Sequence, residues 1–354
     1  MQKKITFFIG SMGHGGAQRV ISLLCNELVK RFEEVEVLSY YNNPILYQLD
    51  ERVHYRSVVD DNGTDIFRNI IWMRRYFKKN SKIVLSFLAP FNMIAIISLF
   101  FSNIPIIVAD RNDPTKVPVT FWMRKLRDFL YCFADHVVVQ TKKNQNYFGR
   151  IIKRKSSVIY NPIDLKELQG SALKADKNKK IVSVARLEKQ KNQKMLIRAF
   201  KQVLKKHSDY VLVLYGEGPY REELERFIKE EELVGVVQLP GNVPNVLKLE
   251  RDAEIFVLSS DYEGMPNALL EAMCLGLPCI STRVSGATDL IQDKLNGVLV
   301  DISNTDELAS KMIEMVESKA LREIYAKRAV LLADELKVNM ITDRWMQLIE
   351  KLVL

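Results

Sequence analysis

The sequence has few cysteines and no spacing among them that suggests a disulfide framework or a zinc site. Cys25, Cys132, Cys274 and Cys279 lie in apolar stretches without Cys-x-x-Cys spacing. Isolated thiols of this kind are typical of proteins in a reducing compartment. Asp-x-Asp is absent as well, so no metal-held diphosphate is indicated. The first glycine-rich turn lacks a following Gly-Lys-Ser/Thr, which excludes a P-loop.

Long uninterrupted apolar runs are also scarce. The best candidate for a membrane span, residues 83–109, is divided by Pro90-Phe-Asn92 and Asn103-Ile-Pro105. Its three pieces have the lengths of a strand, a helix and a strand, so we expect a βαβ unit there instead of a membrane span. The first ten residues run directly into an apolar strand without a small-residue cleavage site. This start predicts a protein without a signal peptide, located in the cytoplasm.

The chain is long enough for two domains, and its charge is unevenly distributed. Its 354 residues, 47% of them hydrophobic, are sufficient for two α/β domains with substantial cores. Residues 1–165 contain 24 lysines and arginines against 14 aspartates and glutamates, whereas the remainder contains 28 against 29. The basic excess therefore belongs to the N-terminal half, which indicates an anionic surface or substrate as its partner.

The most informative stretch is Asp261-Tyr-Glu-Gly-Met-Pro-Asn-Ala-Leu-Leu-Glu271-Ala-Met-Cys-Leu-Gly-Leu-Pro278. It follows the apolar strand 255–258 and predicts a tight loop that opens a helix. Backbone N–H groups at such a helix start suit an anion, and two carboxylates, Glu263 and Glu271, flank the site. Taken singly, each glutamate is equally consistent with a loop acid or a surface residue.

As a whole, the pattern resembles the retaining glycosyltransferases of family 4, which share the two-domain GT-B fold. The marks of that family are two glutamates separated by seven residues and a small-residue helix that ends in Gly-x-Pro. The resemblance implies that Glu263 faces the donor sugar as a catalytic residue and that Glu271 binds the ribose. It further implies that the loop between them contacts the nucleotide through Gly264, Met265, Pro266 and Asn267.

Two basic residues follow the first strand predicted for the C-terminal half, at 181–184. Arg186 and Lys191 lie five residues apart in a strand-to-helix loop, so both charges are able to converge on one diphosphate. A charged loop is in itself common. The matching residues of family 4 bind the donor diphosphate, so the resemblance implies a catalytic role for Arg186 and Lys191.

In the N-terminal half, two loops carry candidate ligand residues. The turn Gly10-Ser-Met-Gly-His-Gly-Gly-Ala-Gln-Arg19 resembles the first turn of family 4, and we expect Gly15 and Gly16 to approach the nucleotide sugar. His14 is a candidate contact for the acceptor or the donor sugar, although a solvent-facing histidine fits equally well. Ala109-Asp110-Arg111-Asn112-Asp113-Pro114 resembles a sequence of bacterial family 4 enzymes and makes Arg111 and Asn112 further candidates. A capped turn before the proline is the alternative.

Two helices in the N-terminal half, predicted at 67–79 and 121–130, interleave aromatic residues with lysine and arginine. Each alone is consistent with an ordinary amphipathic helix packed on a sheet. Together with the basic excess they favour an anionic membrane surface, as interfacial helices do. Nucleic acid is a rival partner, but no recognised nucleic-acid-binding module occurs.

These observations predict an α/β protein of GT-B type, with two Rossmann-like parallel-sheet domains facing across a cleft. We expect an acceptor-binding domain at 1–164, a linker at 165–180, a nucleotide-sugar-binding domain at 181–335 and a C-terminal helix at 336–354 that packs back on the first domain. The resemblance implies transfer of a hexose or N-acetylhexosamine from a nucleotide sugar to a polyprenyl-diphosphate-linked or polysaccharide acceptor. We expect the nucleotide to be UDP, and we expect the reaction to need neither a cofactor nor a metal. The setting that the resemblance implies is capsule or O-antigen synthesis at the inner face of the cell membrane. A nucleotide-sugar epimerase and a non-catalytic binding protein for sugar nucleotides or anionic polymers are the alternatives.

Overall fold

The computed structural model describes residues 4–13, 15–164, 178–243, 246 and 252–353. The chain forms two compact units: Met1–Pro162 together with Leu336–Leu354, and Ile163–Glu335. His14 and most of the predicted linker, at 165–177, lie outside the described residues.

The first unit is built on a seven-stranded parallel sheet with the order β3-β2-β1-β4-β5-β6-β7. Its strands are β1 (Lys4–Ile9), β2 (Glu34–Ser39), β3 (Val53–Ser57), β4 (Ile83–Phe87), β5 (Ile106–Asp110), β6 (His136–Val139) and β7 (Ser156–Val158). Strands β1, β4 and β5 are near-continuous buried apolar runs, as expected for parallel strands covered on both faces. The strand order reverses beside β1, which has β2 on one side and β4 on the other.

Helices cover this sheet, and the C-terminal helix of the chain belongs to the same unit. The helices are α1 (Gly16–Leu28), α2 (Val58–Asn62), α3 (Ile66–Asn80), α4 (Ala89–Leu99), α5 (Phe121–Tyr131), α6 (Lys142–Tyr147) and α7 (Arg150–Arg154), with Val338–Val353 at the end of the chain. Trp345 of that last helix is fully buried, and its ring stacks on Phe87 of β4 with a centroid distance of 5.8 Å. The βαβ unit expected at 83–109 is present as β4, α4 and β5.

The second unit contains a six-stranded parallel sheet with the order β10-β9-β8-β11-β12-β13. Its strands are β8 (Lys180–Val184), β9 (Val211–Tyr215), β10 (Val237–Gly241), β11 (Ile255–Leu258), β12 (Cys279–Thr282) and β13 (Val298–Val300). The order reverses between β8 and β11, which pair directly at Ile255 with Ile181 and at Phe256 with Val182.

The helices of the second unit alternate with its strands. They are α8 (Gln193–Leu204), α9 (Arg221–Glu230), α10 (Asn267–Cys274), α11 (Ser285–Leu290), α12 (Thr305–Glu317), α13 (Lys319–Ala329) and α14 (Leu332–Glu335), and we number the last helix of the chain, Val338–Val353, α15. Phe200 of α8, Leu212 of β9 and Met312 of α12 lie in one buried apolar cluster. Two parallel sheets with alternating helices confirm the predicted fold class. Among the described helices, none is both long and apolar enough to cross a bilayer.

Candidate functional site

Two loops meet where the strand order of the second sheet reverses. One loop follows β8 and contains a single 3₁₀ turn, Lys189–Lys191; the other follows β11 and leads into α10. Because β8 and β11 are neighbouring parallel strands, their carboxyl ends lie side by side. Open α/β sheets bind ligands at this position.

Side chains and backbone tie the two loops together. The Asp261 N–H donates to the Gln190 carbonyl oxygen at 2.9 Å, and the Gln190 amide donates to the Tyr262 carbonyl at 2.6 Å. The Asn192 amide donates to the Asp261 carboxylate at 2.8 Å, and the same side chain caps the start of α8. Residues about 70 positions apart in the chain therefore form one surface.

At the centre of this surface, Lys191 and Glu263 form an ion pair. The Lys191 Nζ lies 2.5 Å from Glu263 Oε1, which also accepts a hydrogen bond from the Ser260 hydroxyl at 2.7 Å. Both charged side chains are largely buried. Charge-assisted hydrogen bonds in a partly desolvated site are stronger than those on an open surface. The structure thus brings together two of the three residues predicted to be catalytic.

The third, Arg186, lies on the same loop as Lys191, but its side chain contacts Glu188. Its guanidinium pairs with Glu188 at 2.8 Å, and two-thirds of the side chain is exposed. Its backbone is fixed, because the Gln193 amide donates to the Arg186 carbonyl at 3.0 Å. The guanidinium is therefore bound to Glu188, on a side chain that is open to solvent.

Glu271 lies on α10, and the loop before it supplies the helix start. Pro266 is the N-cap residue, and the helix begins at Asn267. Gly264, Met265 and Glu271 are buried. Burial, together with the charge of Glu271, raises the pKa of Cys274 to about 12, so this thiol stays protonated and unreactive near the site.

Glycines allow the loops around the ion pair to approach one another. A Cβ atom on Gly286, in α11, would lie 2.3 Å from the Gly264 carbonyl oxygen and 2.7 Å from Met265 Cα. Gly216, after β9, has a φ of +128°, and a Cβ atom there would lie 2.0 Å from the Ala185 carbonyl oxygen. Only glycine fits either position without moving the backbone.

In the first unit, the predicted glycine turn lies after β1. Gly15 has a φ of 156° and is the N-cap of α1, which begins at Gly16. Its N–H donates to the Tyr47 hydroxyl at 3.4 Å. The backbone at Gly15 and Gly16 is thus placed at a helix start, where anions are favoured.

Arg111 and Asn112 follow β5, and both are held by amides. Arg111 is 7% exposed, its Nη2 donates to Asn161 Oδ1, and its Nε and Nη1 have no hydrogen-bond partner within the described parts of the chain. Burial lowers the pKa of this guanidinium to about 9. The Asn112 carbonyl accepts from the Asn144 amide at 3.0 Å. Arg111 is therefore a buried cation held by few hydrogen bonds at the carboxyl end of its sheet.

The two basic-aromatic helices, α3 and α5, expose large apolar side chains. On α3 and α5 respectively, Phe67 is 77% and Trp122 is 78% exposed, and Phe101, just after α4, is 99% exposed. Not all of their basic residues face solvent: Arg127 is fully buried, and Arg74 donates to the Ser98 and Phe100 carbonyls at the end of α4.

A separate groove in the first unit does not involve the predicted site residues. It has a volume of about 960 Å³ and lies between α3 and the edge strand β3, with Trp72, Tyr76, Arg56 and Lys79 among its lining residues. We place the candidate site at the loops after β8 and β11 because charges and close backbone contacts converge there.

Several residues of the site were not predicted. Asn192 and Asp261 connect the two loops, and Ser260 binds the Glu263 carboxylate within its own loop. None of the three stands out in the sequence beyond being polar and near a strand end. Gly216 and Gly218 carry a usable signal, since two glycines directly after an apolar strand predict a close backbone approach.

Two family models match consecutive parts of the chain. The model described as Glycosyl transferases group 1 matches residues 165–330, and the model described as Glycosyltransferase Family 4 matches residues 14–167. The first covers the candidate site, and the second covers most of the first unit.

Characterised relatives match over nearly the whole length. An N-acetylgalactosamine-N,N'-diacetylbacillosaminyl-diphospho-undecaprenol 4-alpha-N-acetylgalactosaminyltransferase of Campylobacter jejuni is 32% identical, with 92% of this chain and 94% of the relative covered. The GalNAc-alpha-(1->4)-GalNAc-alpha-(1->3)-diNAcBac-PP-undecaprenol alpha-1,4-N-acetyl-D-galactosaminyltransferase of the same organism is 27% identical, with 98% of each chain covered.

A solved structure has the same fold. The Anabaena protein HepE, crystallised with UDP and glucose, superposes with a TM-score of 0.85 over 98% of this chain and 99% of its own, at 18% identity. This similarity confirms the GT-B fold expected from the sequence.

Proposed function

The chain belongs to glycosyltransferase family 4, and from that premise we propose that it transfers a hexose or an N-acetylhexosamine from a UDP-linked sugar to a lipid-linked glycan. The acceptor side of this proposal is supported by the two Campylobacter relatives, whose names describe transfer to diphospho-undecaprenol-linked sugars. HepE, the structural neighbour, was crystallised with UDP. We further propose that the anomeric configuration is retained, as in the family.

The observation that carries the proposal is the Lys191–Glu263 pair at the switch point of the second sheet. A nucleoside diphosphate leaving group needs positive charge on the departing oxygens, and an ammonium in a largely buried site supplies it effectively. Lys191 takes this role, and Arg186 adds a second charge when its exposed side chain turns from Glu188 toward the diphosphate.

Glu263 and Glu271 divide the remaining contacts. Once a diphosphate attracts Lys191, the Glu263 carboxylate keeps its hydrogen bond from Ser260 and faces the donor sugar. Glu271 accepts from the ribose hydroxyls, and the backbone from Gly264 to Asn267 meets the phosphates at the start of α10. Because the protein supplies the cations, we propose that transfer proceeds without a metal or another cofactor.

The first unit is proposed to receive the acceptor. Arg111 and Asn112 contribute polar groups to it after β5. Gly15 and Gly16, at the start of α1, are proposed to approach the nucleotide sugar through their backbone. His14 is proposed as a further contact on the same turn, from its position in the sequence.

The same unit is proposed to bind the inner face of the cell membrane. The exposed aromatic side chains of α3, α5 and the end of α4 are the kind of side chain that partitions into a lipid interface. The basic excess of residues 1–165 attracts anionic headgroups. Together these features would bring the enzyme to an acceptor anchored in the bilayer, in the synthesis of a cell-surface glycan.

The test is incubation of the purified enzyme with radiolabelled nucleotide sugars and a diphospho-polyprenyl-linked acceptor. We expect label in the lipid fraction, undiminished by a chelator, with the anomeric configuration of the new bond read by NMR. Interconversion of the sugar without transfer would identify an epimerase, and binding without either reaction would identify a non-catalytic protein. A new bond of opposite configuration would contradict retention alone.

A further inference from the structure

A buried polar cluster lies beneath the loop that follows β5. Arg127, on α5, is fully buried, and its Nη1 donates to the carbonyl oxygens of Pro114 at 3.0 Å and Val117 at 2.5 Å. Its Nε and Nη2 donate to the Asp128 carboxylate at 3.0 and 2.7 Å. One guanidinium thus supplies hydrogen bonds to both ends of the loop segment 114–117.

Aromatic rings enclose the same guanidinium. Its Cζ lies 5.3 Å from the ring centroids of Tyr147 and Phe148 and 6.0 Å from that of Tyr131. Cation–π attraction of this kind is strongest where water is excluded. The position of Arg127 is therefore fixed from several sides, and the loop carbonyls are fixed with it.

Asp110, the last residue of β5, links this cluster to the start of the loop. It is 1% exposed, accepts from the Tyr131 hydroxyl at 3.2 Å and from the Asn112 N–H at 3.4 Å, and lies 3.9 Å from Arg127. Asn92 donates to the Tyr131 hydroxyl at 2.8 Å. Burial raises the pKa of the Asp110 carboxyl, although the nearby Arg127 opposes that effect.

A buried charged cluster contributes little to the stability of a fold, because removing its charges from water costs free energy. Replacement of a buried ion pair by apolar residues of similar volume is often neutral or stabilising. What apolar residues cannot do is satisfy inward-facing loop carbonyls, since each buried carbonyl needs a donor. The hydrogen-bond donors of Arg127 thus meet a need of the loop carbonyls that an apolar side chain would leave unsatisfied.

The loop has a functional position. It begins with Arg111 and Asn112, directly after the carboxyl end of β5. Strand β5 pairs with β4, and β4 pairs with β1, beside which the strand order reverses. Ligands of open α/β sheets bind at this edge. We propose that Arg127 and Asp110 are positioning residues of the acceptor subsite, which hold Arg111 and Asn112 in the geometry that the acceptor requires. This inference rests on the proposed glycosyl transfer.

The experiment compares acceptor kinetics with nucleotide binding in variants of the full-length enzyme. Arg127→Met keeps the volume and removes all donors, so we expect the KM for a water-soluble acceptor analogue to rise about a hundredfold, as for other misplaced binding groups. The Kd for UDP, measured by calorimetry, should remain that of the wild type, because the loops proposed to bind UDP, those after β8 and β11, lie in the second unit. Arg127→Lys should recover only part of the acceptor affinity, since an ammonium cannot reproduce the fork of donors.

Two milder variants test the proposal even if Arg127→Met does not fold. Tyr131→Phe and Asp110→Asn remove one hydroxyl and one charge, and we expect smaller increases in acceptor KM with unchanged UDP affinity. The matched control is Arg74→Met, because Arg74 also donates to backbone carbonyls of the first unit but at the end of α4. It should lower the melting temperature and leave the acceptor KM unchanged.

The outcomes separate the two proposals. If folded Arg127→Met enzyme, or both milder variants, keep the wild-type acceptor KM, the positioning role is overturned. It is also overturned if acceptor KM and UDP affinity worsen together in Arg127→Met, or if Arg74→Met raises the acceptor KM as much as Arg127→Met does, because the cluster would then support the fold alone. A wild-type enzyme that binds UDP but transfers no sugar would instead contradict the proposed function.

Discussion

At the residue scale, one carboxylate oxygen of Glu263 accepts from both the Lys191 ammonium and the Ser260 hydroxyl. If Lys191 also stabilises the departing diphosphate, its removal costs transition-state stabilisation. We expect Lys191→Ala to lower kcat about a hundred- to a thousandfold, as for other removed charge stabilisers. Arg186→Ala should act in the same direction, measured under saturating donor and acceptor.

A matched control for this variant lies on the adjoining helix. Lys194 also forms a 2.5 Å ion pair, but its partner is Glu223 on α9. Lys194→Ala should therefore leave turnover near that of the wild type. A double variant of Arg186 and Lys191 with normal turnover would show that neither charge takes part in the reaction.

The two glutamates predict different calorimetric results. Glu271→Gln should weaken binding of UDP alone, because the ribose contact is lost. Glu263→Gln should leave UDP affinity at the wild-type level or above it, since Lys191 no longer has an anionic partner in the loop. Its effect should appear with the intact nucleotide sugar. Equal losses of UDP affinity in both variants would contradict this division of roles.

His136 makes the stability of the first unit sensitive to pH. Burial, with Lys351 and Lys155 nearby, lowers the pKa of this imidazole to about 4 from its usual 6.5. The unfolded chain therefore binds more protons between these values, and the free energy of unfolding falls as the pH falls from about 6.5 to about 4. Urea denaturation across this range should show a weaker pH dependence for His136→Asn, and the full dependence for His54→Gln, whose ring is exposed.

At the element scale, buried parallel strands were the most predictable parts of the fold. Strand β4, Ile83–Phe87, begins where the predicted βαβ unit begins and ends before its first dividing proline, Pro90, because a short apolar run bounded by polar residues and proline has few other solutions. Strand β3 was missed. Its sequence, Val-His-Tyr-Arg-Ser, has no apolar run because it is the edge strand of the sheet.

The site was predictable only in part. The glutamate pattern identified the loop after β11 and helix α10, but it did not reveal that Lys191 and Glu263 form a contact across 72 positions of the chain. Such a pairing depends on strand order, which has no local signature. The burial of Arg127 was likewise unpredictable, because arginine is almost never fully buried unless it is paired.

Helix α11 leads to a prediction about loop geometry. A methyl group on Gly286 would overlap the backbone of Gly264 and Met265. Gly286→Ala must therefore displace either α11 or the loop from Gly264 to Asn267. We expect a loss of about 1–3 kcal/mol in the free energy of unfolding, typical of overpacking, together with weaker UDP binding. Gly149→Ala is the control, since among the described residues no atom outside Gly149 and its two chain neighbours lies within 4 Å of a Cβ there. Unchanged stability and UDP affinity in Gly286→Ala would show that the loop accommodates the methyl group.

At the scale of the whole molecule, charge and exposed aromatic surface fall in the same unit. The first 165 residues hold the basic excess, and Phe67, Phe101 and Trp122 are exposed there. Electrostatic attraction to an anionic surface is screened by salt, whereas insertion of aromatic side chains is not. Binding that depends on both terms should therefore lose only one of them as salt rises.

Flotation with anionic vesicles distinguishes the two contributions. Changing Arg75, Lys78 and Lys79 to glutamine should reduce binding at low salt, since each cation near the surface contributes about 1 kcal/mol. Arg74 is left in place because it donates to the carbonyls at the end of α4. Changing Trp122 and Phe129, both mostly exposed, to serine should instead remove the binding that persists at high salt.

The control for the charge variant replaces the exposed Lys205, Lys229 and Lys327 of the second unit by glutamine, with the same change in net charge. If the first unit meets the membrane, this control floats with the vesicles as the wild type does. Equal loss of binding in both triple variants would mean that net charge alone, and not a surface of the first unit, attracts the lipid. A wild type that ignores anionic vesicles at low salt yet glycosylates a water-soluble acceptor would leave α3 and α5 as solvated helices without a membrane role.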